Sequence, residues 1–125
     1  MAQARREIQA EQEQRILSIA AIIETEMDLG WLDIVHKFDP RSGDERVICE
    51  THPDWEYRQA SLLWNIECCA ARTDEELTDT MIHELVHVLI DPLWSVACKV
   101  KGARRLNEFS VECVARAISA VRRNA

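Results

Sequence analysis

No stretch of the 125-residue sequence reaches 18 consecutive apolar residues, so no membrane-spanning helix is predicted. The chain begins with a polar segment rather than the apolar run of about 7–15 residues that a secretory signal carries. Basic side chains are too few to offset the acidic ones, since the formal net charge is −7 at pH 7. This excess of negative charge argues against general binding to nucleic acid or to anionic membranes, and we expect neither as a partner.

The cysteines lack the even number and the spacing of a disulfide framework. There are five of them, which fits reduced thiols and predicts a cytoplasmic protein. Internal repeats are also absent, and 125 residues with 47% hydrophobic content suffice for one core but not for two. We therefore expect one domain over residues 1–125. Residues 1–12 have little to bury, and we expect them to fray rather than to project or pair with another chain.

Hydrophobic periodicity predicts an α+β fold with a small, mainly antiparallel sheet. A helix is expected over residues 4–27, with Gly30 behind it in a left-handed conformation. Three strands should follow, at residues 31–38, 46–51 and 55–68. The first two should form an antiparallel hairpin through a turn at 39–44, and residues 52–54 should be a loop. The sheet should pack on the helix that comes next.

Two helices are predicted in the second half of the chain. Thr73 and Glu76 have the spacing of a capping box, which should start a helix over residues 74–90. The dipeptide Asp91-Pro92 should end that helix, and the chain should reverse before residue 104. The last helix is expected over residues 104–122, with a buried stripe made of Val111, Val114, Ile118 and Val121.

The segment His83-Glu84-Leu85-Val86-His87 has the pattern H-E-x-x-H. On a helix, the two histidines lie one turn apart on the same face and can direct ring nitrogens at one ion. Zinc suits imidazole and in catalytic sites leaves a position for water, whose proton Glu84 could accept. The surrounding helix is apolar almost all round, so these polar groups would be costly to bury without a shared partner. The alternative is an accidental match on an ordinary helix.

A second motif follows in Asn107-Glu108-Phe109-Ser110-Val111-Glu112. H-E-x-x-H followed by N-E-x-x-x-E resembles the gluzincin metallopeptidases, whose second helix carries N-E-x-x-x-D. The resemblance extends over about residues 73–118, and the chain is similar to short intracellular forms of the ImmA/IrrE type and to phage-encoded ones. It departs from the family at Glu112, where aspartate is usual.

The gluzincin resemblance implies a zincin-like fold, in which an N-terminal helix and the sheet accompany an active-site helix and a C-terminal helix. It implies three zinc ligands: His83, His87 and Glu108. Glu84 would be the general base acting on a zinc-bound water. Glu112 would hydrogen-bond a ligand histidine from outside the ligand shell, with Asn107 beside it.

Other enzymes with H-E-x-x-H fit the sequence less well. A metzincin would need glycine and histidine where this chain has Ile90 and Leu93. A peptide deformylase would supply a cysteine ligand from a Gly-Cys-Leu segment, and neither Cys49 nor the pair Cys68-Cys69 lies in one. The pair is interpreted instead as two small apolar side chains.

Several groups are candidates for stabilising the oxyanion of the tetrahedral intermediate. No histidine or tyrosine follows His87, although larger gluzincins take this group from beyond the second motif. Tyr57 is the preferred catalytic candidate, and the alternatives are His52, Arg104 or Arg105, or a group supplied by a partner.

The function predicted from these motifs is a zinc-dependent metallopeptidase. Its partner would be a protein or peptide substrate, added as an extended strand to an exposed sheet edge within residues 46–66. One alternative is a zinc-stabilised binding or regulatory module that is catalytically weak or latent. Another is a structural protein in which the motif is accidental.

Overall fold

The computed structural model describes residues 2–39 and 47–125. This part of the chain forms four helices and one sheet of three strands, which confirms the α+β class. The helices are α1 (Ala2–Glu26), α2 (Ile66–Ala70), α3 (Asp74–Ala97) and α4 (Ala103–Arg123). The strands are β1 (Asp33–Asp39), β2 (Cys49–Asp54) and β3 (Gln59–Asn65), and a 3₁₀ turn covers Trp55–Tyr57. The predicted turn at 39–44 and the start of the predicted second strand lie largely outside the described residues.

The sheet is mixed, with β3 in the centre, so the prediction of a mainly antiparallel sheet is wrong. β1 runs parallel to β3 from the Asp33–Gln59 pair onwards, whereas β2 runs antiparallel to it on the other side. The predicted hairpin of the first two strands is therefore wrong as well. Burial explains the order, because β3 has Ala60, Leu62 and Trp64 in the core, whereas β1 has no buried residue and β2 has only Cys49.

The predicted loop at residues 52–54 is the second half of β2. Pro53 pairs with Ala60 in the register of the antiparallel ladder. Proline lacks a backbone N–H and is tolerated in a sheet mainly on edge strands. Since no described strand pairs with the other side of β2, Pro53 lies where the sheet can accept it.

Helix α1 ends in a different way from the predicted one. Asp28 has a φ of 56°, and Gly30 is not left-handed. The N–H of Leu29 bonds to the carbonyl of Glu24, and that of Asp28 to the carbonyl of Thr25. These are the two bonds of a Schellman motif. Aspartate tolerates the left-handed conformation, and the turn brings Leu29 into the core.

The capping box of α3 is confirmed, but its predicted end is wrong. The Thr73 hydroxyl accepts from the N–H of Glu76, and the Glu76 carboxylate accepts from the N–H of Thr73. The helix continues through Pro92 to Ala97. Proline removes one N–H from a helix, but later residues still find carbonyl partners, as the bond from Cys98 to the carbonyl of Trp94 shows.

Helix α4 spans nearly the predicted residues, but part of its predicted buried stripe is wrong. Val114 and Val121 are 46% and 72% exposed, whereas Val111, Ala115 and Ser119 are buried. These three lie at intervals of four residues and therefore on one face. Two of them are small, which lets α4 approach α3 closely, and residues 98–102 are enough for the reversal because Gly102 adopts a φ of 82°.

Helix α3 lies in the centre of the core. Its side chains Leu77, Met81 and Leu85 are fully buried and share the hydrophobic core with α1 and β3. This burial of the apolar faces leaves its polar stripe to face α4 and β2. None of the helices in the described ranges combines the length and apolar composition that a membrane span requires.

Candidate metal centre

The two histidines of H-E-x-x-H lie one turn apart on α3 and face α4. The side chains of His83 and His87 are 24% and 20% exposed, so each is partly buried but reachable. Their ring centroids are 5.0 Å apart and the rings are inclined by 68°. This geometry is the one that the i, i+4 spacing predicted.

Helix α4 brings Glu108 to both histidines. Its Oε1 lies 3.1 Å from His87 Nε2, and its Oε2 lies 3.8 Å from His83 Nε2. One ligand atom from each of the three residues lies within 4.8 Å of the others. Two ligands of a tetrahedral zinc ion, each about 2.1 Å from it, are about 3.4 Å apart, so a small adjustment of these side chains would accommodate the ion. The predicted ligands are thus brought together, although the cluster itself does not distinguish zinc from another metal.

Glu112 contacts the first histidine from the side away from Glu108. Its Oε2 lies 2.9 Å from His83 Nδ1, and its Oε1 accepts a hydrogen bond of 2.7 Å from Arg116 Nε. The bond from Arg116, followed by the charge of His83, lowers the pKa of the Glu112 carboxyl below its usual value. A charged Glu112 accepts the Nδ1 proton of His83, which leaves the Nε2 lone pair directed at Glu108. That tautomer is the one a metal requires.

Glu84 lies next to the cluster, on the side of α3 that faces β2. The Thr51 hydroxyl donates a hydrogen bond to Glu84 Oε2. Burial raises the pKa of Glu84, and the bond from Thr51 and the nearby histidines oppose that rise. Burial, and then the charge of Glu84, also raise the pKa of the neighbouring Cys49 thiol. A carboxylate with a raised pKa accepts a proton more readily than an ordinary one, as a general base must.

A cleft of about 490 Å³ opens beside this cluster. β2 forms one wall and the first turns of α4 form another. Its lining residues are Thr51, Pro53, Glu84, His87, Asp91, Trp94, Arg104, Asn107 and Glu108. Asn107, which was predicted to accompany the ligands, therefore lies on the cleft, and Arg104 is the one arginine or lysine among the described residues that line it.

The remaining oxyanion candidates lie elsewhere. Tyr57 is on the 3₁₀ turn, is 72% exposed and does not line the cleft. His52 alternates with Thr51 along β2, so its side chain points to the opposite face, where Nε2 lies 3.6 Å from Glu50. Arg105 does not line the cleft either. Of the groups proposed from the sequence, the structure brings only Arg104 to this position.

The fourth histidine, His36, is part of the core. Its Nδ1 accepts a hydrogen bond of 3.0 Å from Trp64 Nε1, and its Nε2 lies 3.4 Å from Glu24. Burial lowers the pKa of His36, and the Glu24 carboxylate opposes that shift in part. These contacts give His36 a structural role, separate from the candidate metal centre.

Comparison of the chain with protein-family models, with curated proteins and with solved structures finds no match. The gluzincin resemblance therefore depends on the two motifs alone. The geometry of the cluster is an observation that is independent of any relative.

Proposed function

We propose that the protein is a zinc-dependent metallopeptidase of the gluzincin kind. The observation that carries the proposal is the convergence of His83, His87 and Glu108 at the edge of a cleft that Glu84 also lines. Two imidazoles and one carboxylate are a donor set that catalytic zinc sites use. The charge on Glu112 and its contact with His83 suit an orienting role outside the ligand shell.

Zinc bound by these three residues would supply Lewis-acid chemistry, polarising the scissile carbonyl and acidifying a water molecule. The carboxylate of Glu84 would accept a proton from the attacking water and then pass it to the leaving amine. Arg104, directed into the same cleft, would stabilise the carbonyl oxygen as it gains negative charge. Peptide hydrolysis needs all three of these tasks, and each has a residue in this cleft.

An extended peptide substrate would bind along the outer side of β2. In the described part of the chain no strand occupies that side, and Thr51 and Pro53 of β2 line the cleft. Main-chain hydrogen bonds to a sheet edge hold a peptide with little regard to its sequence. The substrate class is therefore an unfolded or extended polypeptide, and the proposed location is the cytoplasm.

The second candidate function is a zinc-stabilised binding or regulatory module with weak or latent catalysis. It is favoured by the position of Tyr57, since the described cleft contains no tyrosine and no histidine besides the ligand His87. Such a module would keep the ion and the fold without efficient turnover.

Metal analysis and one substitution separate these functions. The purified protein should contain about one equivalent of zinc and should cleave an unfolded fluorescent casein. Glu84→Gln should keep the zinc and abolish cleavage, because the amide cannot accept the proton. Zinc without cleavage by the unsubstituted protein would favour the regulatory module, and absence of zinc would refute both.

A further inference from the structure

The general base proposed above is held by a residue from outside its own helix. Thr51 Oγ1, on β2, donates a hydrogen bond to Glu84 Oε2, on α3. In the described part of the chain, this is the one hydrogen bond that the Glu84 carboxylate receives from a side chain. Thr51 and Glu84 are 33 residues apart in the sequence, so this contact exists only in the folded protein.

Side chains alternate between the two faces of β2, and this alternation places Thr51 on the face towards α3. Cys49, Thr51 and Pro53 are the more buried residues of β2, while the intervening residues are exposed. Side chains two apart on a strand share a face, and this face packs against α3. Thr51 is partly buried and lines the cleft, and its hydroxyl bonds to Glu84 from this position.

We propose that Thr51 is a positioning residue for Glu84, holding Oε2 so that Oε1 is left to face the cleft. The inference rests on the proposed function, in which Glu84 is the general base that accepts a proton. A carboxylate with one oxygen fixed presents the other in one orientation, and small misplacements of a catalytic group cost up to about 100-fold in rate. Thr51 and the substrate-binding edge of β2 are the same strand, so the wall that would receive the peptide also orients the base.

The alternative is that Thr51 only satisfies the hydrogen-bonding requirement of the partly buried Glu84 carboxylate, without positioning it for catalysis. Both roles predict a loss of stability when the hydroxyl is removed, so stability does not separate them. The positioning role alone predicts that kcat falls while KM and zinc content are unchanged, and that a hydroxyl on a smaller side chain restores kcat.

The test uses the full chain loaded with zinc and an unfolded fluorescent casein. Thr51→Val should lower kcat by about tenfold with KM and zinc content unchanged, and Thr51→Ser should keep most of the rate. Thr25→Val is the matched control, because the hydroxyl of this exposed threonine on α1 donates to the carbonyl of Ala21 within its own helix, and the substitution should have no effect. An unchanged kcat for Thr51→Val would overturn the inference but would not affect the proposed peptidase function. Loss of zinc from both Thr51→Val and Thr51→Ser would have the same two consequences.

A ligand measurement decides the point even if the protein cleaves nothing. Acetohydroxamate chelates zinc and should also bond to the Glu84 carboxylate, so its Kd reports the position of that group. Thr51→Val should weaken its binding by about threefold or more, but should have no effect in a Glu84→Ala background. Equal effects in both backgrounds would refute the positioning role. A protein that binds no zinc would overturn both this inference and the proposed function.

Discussion

His83 Nδ1 and Glu112 Oε2 lie 2.9 Å apart across the interface of α3 and α4. The same two helices are joined farther along by Arg123, which lies 2.5 Å from Asp79. The antiparallel packing of the helices therefore aligns the second motif with the first. The contact at His83 would prepare this residue to bind the proposed metal, because it fixes which ring nitrogen carries the proton.

Removing this contact should weaken zinc binding without abolishing it. Glu112→Ala leaves His83, His87 and Glu108 in place but releases the His83 ring, and we expect zinc affinity to fall by about 10–100-fold. Competition with a chromophoric chelator measures the Kd. Arg116→Ala is the control, since it removes the other partner of Glu112 and leaves the bond to His83, and its effect should be smaller.

Removing a ligand should have a larger effect. Glu108→Ala should leave the purified protein without zinc and should abolish the rise in Tm that zinc gives the unsubstituted protein, because binding to the native state is lost. Metal analysis and thermal unfolding with and without a chelator are the measurements. If Glu112→Ala releases the zinc and Glu108→Ala retains it, the assignment of the two carboxylates is reversed.

The surface variant Glu11→Ala provides a comparison for Glu108→Ala. Glu11 is exposed on α1, remote in sequence from the motif helices. Glu11→Ala removes the same charge and the same side chain as Glu108→Ala, but at a position away from the metal cluster. This variant should therefore retain the zinc-dependent rise in Tm. A similar loss in both variants would attribute the effect to charge rather than to ligation.

The cluster of His83, His87 and Glu108 could be predicted from the sequence because its geometry is mostly local. His83 and His87 share a face by helix periodicity, and so do Glu108 and Glu112. The only long-range assumption was that the two helices pack together. The early end predicted for α3 at Asp91-Pro92 did not disturb that assumption, because the reversal still occurs before α4.

The strand order of the sheet and the proposed role of Thr51 could not be predicted from the sequence. Adjacent strands often pair, which favoured a hairpin of β1 and β2, but the burial of Leu62 and Trp64 places β3 between them. Thr51 is one threonine in a strand without a motif. Its partner Glu84 could be identified only after the strand order brought β2 against α3.

His36 should make the fold sensitive to acid. Its pKa in the folded protein is lowered by burial from an ordinary value of 6.5, so below 6.5 the unfolded chain binds more protons. The stability it contributes is therefore complete above the ordinary value and is lost as the pH falls through the lowered one. Urea unfolding at about pH 8 and about pH 5 should show a smaller loss of stability for His36→Gln than for the unsubstituted protein.

The paired comparison is needed because Glu84 also contributes to the pH dependence of stability. Its pKa is raised, so its contribution acts in the opposite direction. Glu84 is present in both proteins, and its contribution cancels in the difference between them. Equal losses for both would show that His36 does not govern the acid sensitivity.

Arg104 provides the sharpest test of the cleft as a catalytic site. Arg104→Ala should reduce kcat on unfolded casein by about 100-fold while zinc content stays the same, because the charge that develops on the carbonyl oxygen loses its partner. The neighbouring Arg105→Ala removes an equal charge from the same turn of α4 but not from the cleft, and it should leave kcat nearly unchanged. Tyr57→Phe tests the group that the sequence favoured. A larger loss with Tyr57→Phe than with Arg104→Ala would mean that the 3₁₀ turn moves towards the cleft when substrate binds, and it would transfer the oxyanion role to Tyr57.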